Sequence, residues 1–326
     1  MNDMITSFNT EQFQKDISEH RSTMMGLSII AIILFHQHIM DGFPFTVFRY
    51  YGYWGVDVFL MLSGMGLVNS LQKYRLHTYY QRRLQRLLPS CLFCGIMKCI
   101  IALSLSAMIL LPDSFPHINR LSPLSLDLWY IRAILVYYLL SPFLHKQLQV
   151  SPWLTIGFIT ILFFINGLFF RIHDSESPTW IIERLLVFTI GMLLMLRRDI
   201  LSSKTMLLSA LFLIIAIAIA AKYKGDIYAN PLFWTMMIFC LALGTITIIY
   251  LTTLLLRQIP QPVLIPFKWI GTISLELYLI HEFVFGAVTT LTSQFFGNAT
   301  QFITCLALSI ILAYLCKQAT KRIGSL

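Results

Sequence analysis

Apolar stretches of roughly 17–25 residues recur from one end of this chain to the other, each long enough to cross a hydrocarbon core about 30 Å thick. A backbone in lipid must satisfy its own hydrogen bonds, which leaves helices or a closed barrel. Unbroken apolar runs of this length belong to helices. Reading the runs and their punctuation gives about ten spans, near 23–40, 52–70, 87–111, 125–144, 153–170, 181–196, 202–221, 231–256, 268–290 and 299–316. The 326 residues are 57% hydrophobic and only 12% charged, about half the charged fraction of a soluble domain. The expected fold is therefore all-α, a polytopic transmembrane helix bundle without a sizeable soluble domain. It is expected to carry an N-terminal tail over residues 1–22, one membrane domain over 23–316 and a C-terminal tail over 317–326.

The tail "MNDMITSFNTEQFQKDISEH" lacks the basic-then-apolar layout of a cleavable signal and reads as cytosolic. The net charge of +9 does not point to nucleic acid, because the basic residues cluster in short connections between apolar runs. One set of connections, with the two tails, carries Lys15, Arg21, Lys73, Arg75, Arg82, Arg83, Arg86, Lys146, Arg197, Arg198, Lys204, Arg257, Lys268, Lys317, Lys321 and Arg322. The opposite set holds Arg49, Arg120, Arg171, Lys222 and Lys224. Sixteen against five orients the bundle with both termini cytosolic. The six cysteines lie within or at the ends of apolar runs, and Cys91-x-x-Cys94 has no matching second pair, so they read as buried apolar thiols and not as a zinc site.

Polar residues inside the spans carry the functional signal, because each is expensive in lipid unless it meets a partner or a wet cavity. With the orientation above, His36 lies about five residues, or about 8 Å, below the outer surface at the end of span 1. Asp57, in "GVDVFLMLSG", lies at a similar depth at the start of span 2. A short loop joins the two spans, so the expectation is that His36 and Asp57 face each other. Asp127, Trp129 and Arg132 fall in the outer third of span 4, and Glu183 and Arg184 at the outer end of span 6. Glu276, with His281 and Glu282 further out, falls on span 9. Each has a plainer reading: a structural histidine at a helix end, a packing-level polar contact, an interfacial charge. Together they suggest a polar site, in which a histidine beside a carboxylate makes a general base of fixed tautomer.

At the cytosolic side, "YYQRRLQRLLPS" places Arg82, Arg83 and Arg86 at the start of span 3. Arg83 and Arg86 are three apart and share a helix face. They serve as a positive-inside anchor on one reading and as a phosphate clamp on another, since guanidinium forks bind phosphate oxygens bidentately and a helix N-terminus adds a favourable field.

Four stretches, "GVDVFLMLSG", "YYQRRLQRLLPS", "LWYIRAILVYYLLSPFL" and "SLELYLIH", resemble in order the signatures of the acyltransferase 3 family. These are integral membrane proteins, mostly bacterial, that move acyl groups, often acetyl, from coenzyme A onto extracytoplasmic glycans and related acceptors. The resemblance implies a catalytic histidine at His36, oriented by Asp57, and acyl-CoA binding at Arg83 and Arg86, helped by Arg82 and Arg21. Trp129, Arg132, Glu276 and His281 are then candidate acceptor contacts. Many members carry an arginine eleven residues before the histidine; here that position is Met25, and Arg21 stands one turn earlier. The resemblance further implies acyl-CoA as co-substrate with no permanently bound cofactor or metal, a glycan or glycolipid acceptor, and residence in a bacterial cytoplasmic membrane. A transporter or flippase without acyl-transfer chemistry is the rival reading. It lacks support from any inverted repeat or pair of broken helices.

Overall fold

In the computed structural model, residues 9–109, 129–170, 177–223, 230–292 and 297–324 are described, and they form twelve α-helices without a strand. These are α1 (Thr10–His36), α2 (Phe45–Tyr51), α3 (Trp54–Lys73), α4 (Leu76–Ile109), α5 (Trp129–Val150), α6 (Pro152–Ile165), α7 (Ser177–Leu196), α8 (Ser203–Tyr223), α9 (Pro231–Gln258), α10 (Gln261–Thr272), α11 (Ser274–Thr292) and α12 (Asn298–Gly324). A π-helical turn over Asn166–Phe170 prolongs α6. Asp127 and the loop residues Arg120, Arg171 and Lys224 lie outside the described residues.

Local chemistry sets several helix ends. The Asn9 side chain accepts the Gln12 N–H at the start of α1. Asn230 accepts the Leu232 and Phe233 N–H groups at the start of α9, with Pro231 next in the chain, so the missing proline N–H falls where no helical partner exists. Between α1 and α2 the chain turns through Gly42 at φ 87°, a backbone region that a side chain disfavours.

Among the described residues, seven helices are long and apolar enough to cross a membrane, and the bent pair α10–α11 makes an eighth span. The other two expected spans correspond to α1 and α5, of 27 and 22 residues. Both are long enough, but part of their length carries charged and hydroxyl side chains. The chain is an integral, multi-pass membrane protein.

Three features differ from the sequence expectation. First, residues 10–22 are helical: α1 begins at Thr10 and buries Phe13, Asp16, Ile17 and His20. Asp16 pairs with Arg257 of α9, and Thr10 donates to the Leu201 carbonyl oxygen. Second, α12 runs on to Gly324 through the segment expected to be a tail. Third, span 9 is two helices meeting at 75°, broken between Thr272 and Ser274.

Burial sorts the helices into layers. The apolar windows of α3 and α7 are each 72% buried, against 22% for α8. The outer helices expose large apolar side chains such as Leu154, Phe158, Leu207 and Leu211, as lipid-facing surfaces do. Lipid supplies no hydrophobic drive between helices, so close packing must hold the interior together. Glycines allow it. A Cβ on Gly64 of α3 would strike the Phe188 carbonyl oxygen of α7, and one on Gly191 of α7 would strike that of Met61. Gly26 of α1 and Gly271 of α10 make an equivalent pair through the Phe267 and Ser22 carbonyl oxygens.

Candidate active site

Two polar regions lie along α1, one around Arg21 and one at His36, and a cavity of about 390 Å³ extends from the first toward the second as far as Ile32. Along α1 the cavity wall runs through Gln14, Ser18, Arg21, Met25 and Ile32, one helix face about 27 Å long at 1.5 Å per residue. Arg83 and Arg86 of α4 line the same cavity as Arg21. The Arg83 guanidinium lies 5.7 Å from the Tyr79 ring centre and 6.0 Å from that of Tyr138. Its buried Nε finds no hydrogen-bond partner among the described residues. An unsatisfied charged donor is costly, so a cavity-facing guanidinium in this state suits an anionic ligand.

Arg82, grouped with these arginines from the sequence, does not line the cavity. It is exposed and stacks over Tyr74 at 4.5 Å, because neighbouring helix positions point about 100° apart. Arg21 does line it. Its guanidinium rests on Gly66 of α3, where a Cβ would come within 2.9 Å of Arg21 Nη2. Met25 faces the same cavity, so arginine and thioether share one wall.

At the other end of α1, His36 meets α11. His36 Nδ1 lies 3.1 Å from His281 Nε2, and His36 Nε2 lies 3.1 Å from Glu282 Oε1. His281 Nδ1 lies 3.1 Å from the Leu277 and 2.9 Å from the Tyr278 carbonyl oxygens. Carbonyls only accept, so His281 Nδ1 carries a proton. In a neutral His281 ring Nε2 is then an acceptor, and His36 Nδ1 donates to it. That leaves His36 Nε2, unprotonated in the neutral ring and facing the Glu282 carboxylate, as the basic nitrogen. The side chains of His36 and Glu282 are 29% and 49% exposed, so this nitrogen is within reach of a second substrate.

The expected pairing of His36 with Asp57 is absent. Asp57 is fully buried, and Arg184 Nη1 lies 2.5 Å from both of its carboxylate oxygens. Helix geometry explains the difference. Gly55 of α3 faces α1, where a Cβ would meet the Ser28 carbonyl oxygen at 2.5 Å. Two residues on, Asp57 is rotated by about 200° and points at α7. It shares that face with Met61 and Gly64, opposite Arg184, Phe188 and Gly191. The neighbouring Glu183 accepts from Trp234 Nε1 at 3.2 Å.

Glu276 also leaves the expected cluster. It is buried, accepts from Ser90 Oγ at 2.6 Å and from Lys317 Nζ at 3.2 Å, and so ties α11 to α4 and α12. Its five-residue separation from His281 on one helix corresponds to about 8 Å of rise. Trp129 packs edge-on to Trp180 at 5.4 Å. Arg132 is exposed, about 200° around α5 from the cavity-lining Tyr130. His281 is thus the acceptor-side residue that the structure brings to His36. Lys98 was missed in the sequence: it is a lysine buried in α4. Its signal was a lone lysine in the apolar run "CLFCGIMKCIIALSL".

A family model described as an acyltransferase domain matches residues 24–317. The chain belongs to the acyltransferase 3 family. No curated protein and no solved structure matches it. His36, His281 and Glu282 also present ligand atoms within 4.8 Å of one another, the spacing of a possible metal site. A single ion would take only one nitrogen of His36, however, whereas here its two nitrogens serve different partners. That arrangement suits proton transfer better than chelation.

Proposed function

We propose that this acyltransferase transfers an acyl group, acetyl in the simplest case, from cytosolic acyl-CoA to a hydroxyl of an extracytoplasmic glycan or glycolipid. The observation that carries the reading is the cavity. It has arginines at one end, including the unsatisfied Arg83 Nε, and it runs along α1 toward the helical turn that ends in His36. The charge bias of the connections supports a cytosolic arginine end, where CoA is found. Arg83, Arg86 and Arg21 bind the phosphates of CoA. The pantetheine arm lies along the wall that holds Met25 and Ile32.

His36 Nε2 takes the proton from the acceptor hydroxyl as its oxygen attacks the thioester carbonyl carbon. The carbon–sulfur bond breaks, the departing CoA thiolate takes the proton back from the His36 imidazolium, and the free thiol withdraws toward the arginine end. Glu282 stabilises the imidazolium, and His281 fixes the ring through Nδ1. General base catalysis of this kind is worth about 10²–10⁴-fold. Asp57 acts at a distance, by holding α3 against α7.

The test is acyl transfer in membrane vesicles that retain the native acceptor, supplied with radiolabelled acetyl-CoA. His36→Ala is expected to insert normally and to lose about 10²–10⁴-fold in turnover. A well-inserted His36→Ala protein with most of its activity would remove His36 as the base. Absence of any labelled product with the wild-type protein would remove acetyl-CoA as the donor.

A further inference from the structure

We propose that the packed rings of Tyr130 and Tyr278 form a partition between the cavity and His36, and that this partition restricts transfer to short acyl groups. The inference rests on the acyl-CoA reading above. Tyr130 of α5 and Tyr278 of α11 both line the cavity, and their ring centres are 4.8 Å apart. They are only 9% and 7% exposed. The Tyr278 ring continues onto the His281 ring at 5.8 Å. His281 Nδ1 donates to the carbonyl oxygen of Tyr278 at 2.9 Å. One residue therefore touches both the cavity and the histidine pair.

Neither His36 nor His281 lines the cavity. Ile32, which does, is four residues and about 6 Å short of His36 along α1. Phe59 of α3 meets Tyr130 at 6.4 Å, and Ile32 and Ile134 line the cavity with it. A thioester whose CoA sits on the arginines must place its acyl carbon past these rings. A two-carbon group passes with rotation of one ring. A longer chain has to displace rings anchored on separate helices, and a packed interior resists added volume. The same ring pair would keep water in the cavity away from the thioester carbonyl at His36.

The experiment compares acetyl-, butyryl- and hexanoyl-CoA as donors in vesicles that retain the native acceptor, for the wild-type protein and for Tyr130→Leu and Tyr278→Leu. Each leucine keeps an apolar side chain but removes the flat ring. The ratio of hexanoyl to acetyl transfer is expected to rise on the order of tenfold or more in each, together with acceptor-independent thiol release from acetyl-CoA. Tyr278→Phe keeps the ring and is expected to keep the wild-type ratio. Displacement of acetyl-CoA by hexanoyl-CoA on purified protein reads the same preference without turnover, so a variant poor in catalysis still reports. Unchanged ratios in both leucine variants, or a shift in Tyr278→Phe equal to that of Tyr278→Leu, would overturn the partition while leaving the acyl-CoA reading in place. A wild-type protein that neither binds nor uses any acyl-CoA would overturn both.

Discussion

Asp57 shows how much one carboxylate can decide inside a membrane. It has no exposed surface, and its two oxygens share one guanidinium nitrogen of Arg184. Removing one partner of such a pair strands the other charge in a medium that cannot solvate it, at about 3–5 kcal/mol. Asp57→Ala and Arg184→Ala should therefore each lower the unfolding temperature in detergent sharply. The double variant Asp57→Leu with Arg184→Leu should be more stable than either single change, because it leaves no unpaired charge. If the double variant is as unstable as the sum of the singles, the pair is not what holds α3 to α7. A catalytic partnership with His36 predicts the opposite pattern: Asp57→Asn would keep full stability and lose turnover. The histidine end works differently. There the partners are exposed to a third or a half, so a substrate can reach the imidazole.

At the scale of the element, glycine decides which helices can touch. The α3–α7 contact carries Gly64 against Phe188 and Gly191 against Met61. These residues lie on the same faces as Asp57 and Arg184, so the approach of the two backbones and the ion pair depend on each other. Gly64→Leu or Gly191→Leu would push the helices apart, at a cost of about 1–3 kcal/mol for overpacking and more if the pair separates. Thermal unfolding of the purified variants should show the loss, and Gly157, which has no neighbour within 4 Å of an added Cβ, should accept Leu without one. An equal response at Gly157 would show that helix propensity, not close approach, sets the effect. The break at 75° between α10 and α11 has a second consequence. It frees α10 to lie along α1 through Gly26 and Gly271, while α11 turns to present Tyr278, His281 and Glu282. A straight span would have served only one of these contacts.

At the scale of the whole molecule, the cavity holds a basic region and stops at Ile32, one helical turn short of His36, and its arginines separate two roles. If Arg83 and Arg86 hold CoA phosphates, Arg83→Lys and Arg86→Lys should raise the apparent KM for acyl-CoA. Losing a charge-assisted contact costs about 1.5–3 kcal/mol, on the order of tenfold to a hundredfold for full removal. Lysine should recover part of it, since it keeps the charge without the fork. If they only orient the chain, lysine should restore wild-type affinity, because insertion counts both residues alike. Titrating acyl-CoA against the purified proteins separates the two.

The all-α class, the recurrence of helices long and apolar enough to cross a membrane and the family were legible in the sequence. All follow from apolar run length or from motifs a few residues long. Which way each polar side chain faces was not legible, because a rotation of 100° per residue sends neighbours such as Gly55 and Asp57 to different helices. Only the tertiary structure gave Asp57 to Arg184, Glu276 to Ser90 and Lys317, and His36 to His281 and Glu282. Span lengths are a property of local composition measured against a bilayer. Partners across a bundle depend on the phase and tilt of several helices at once, and in this chain close backbone approach at glycine and one sharp break set those phases.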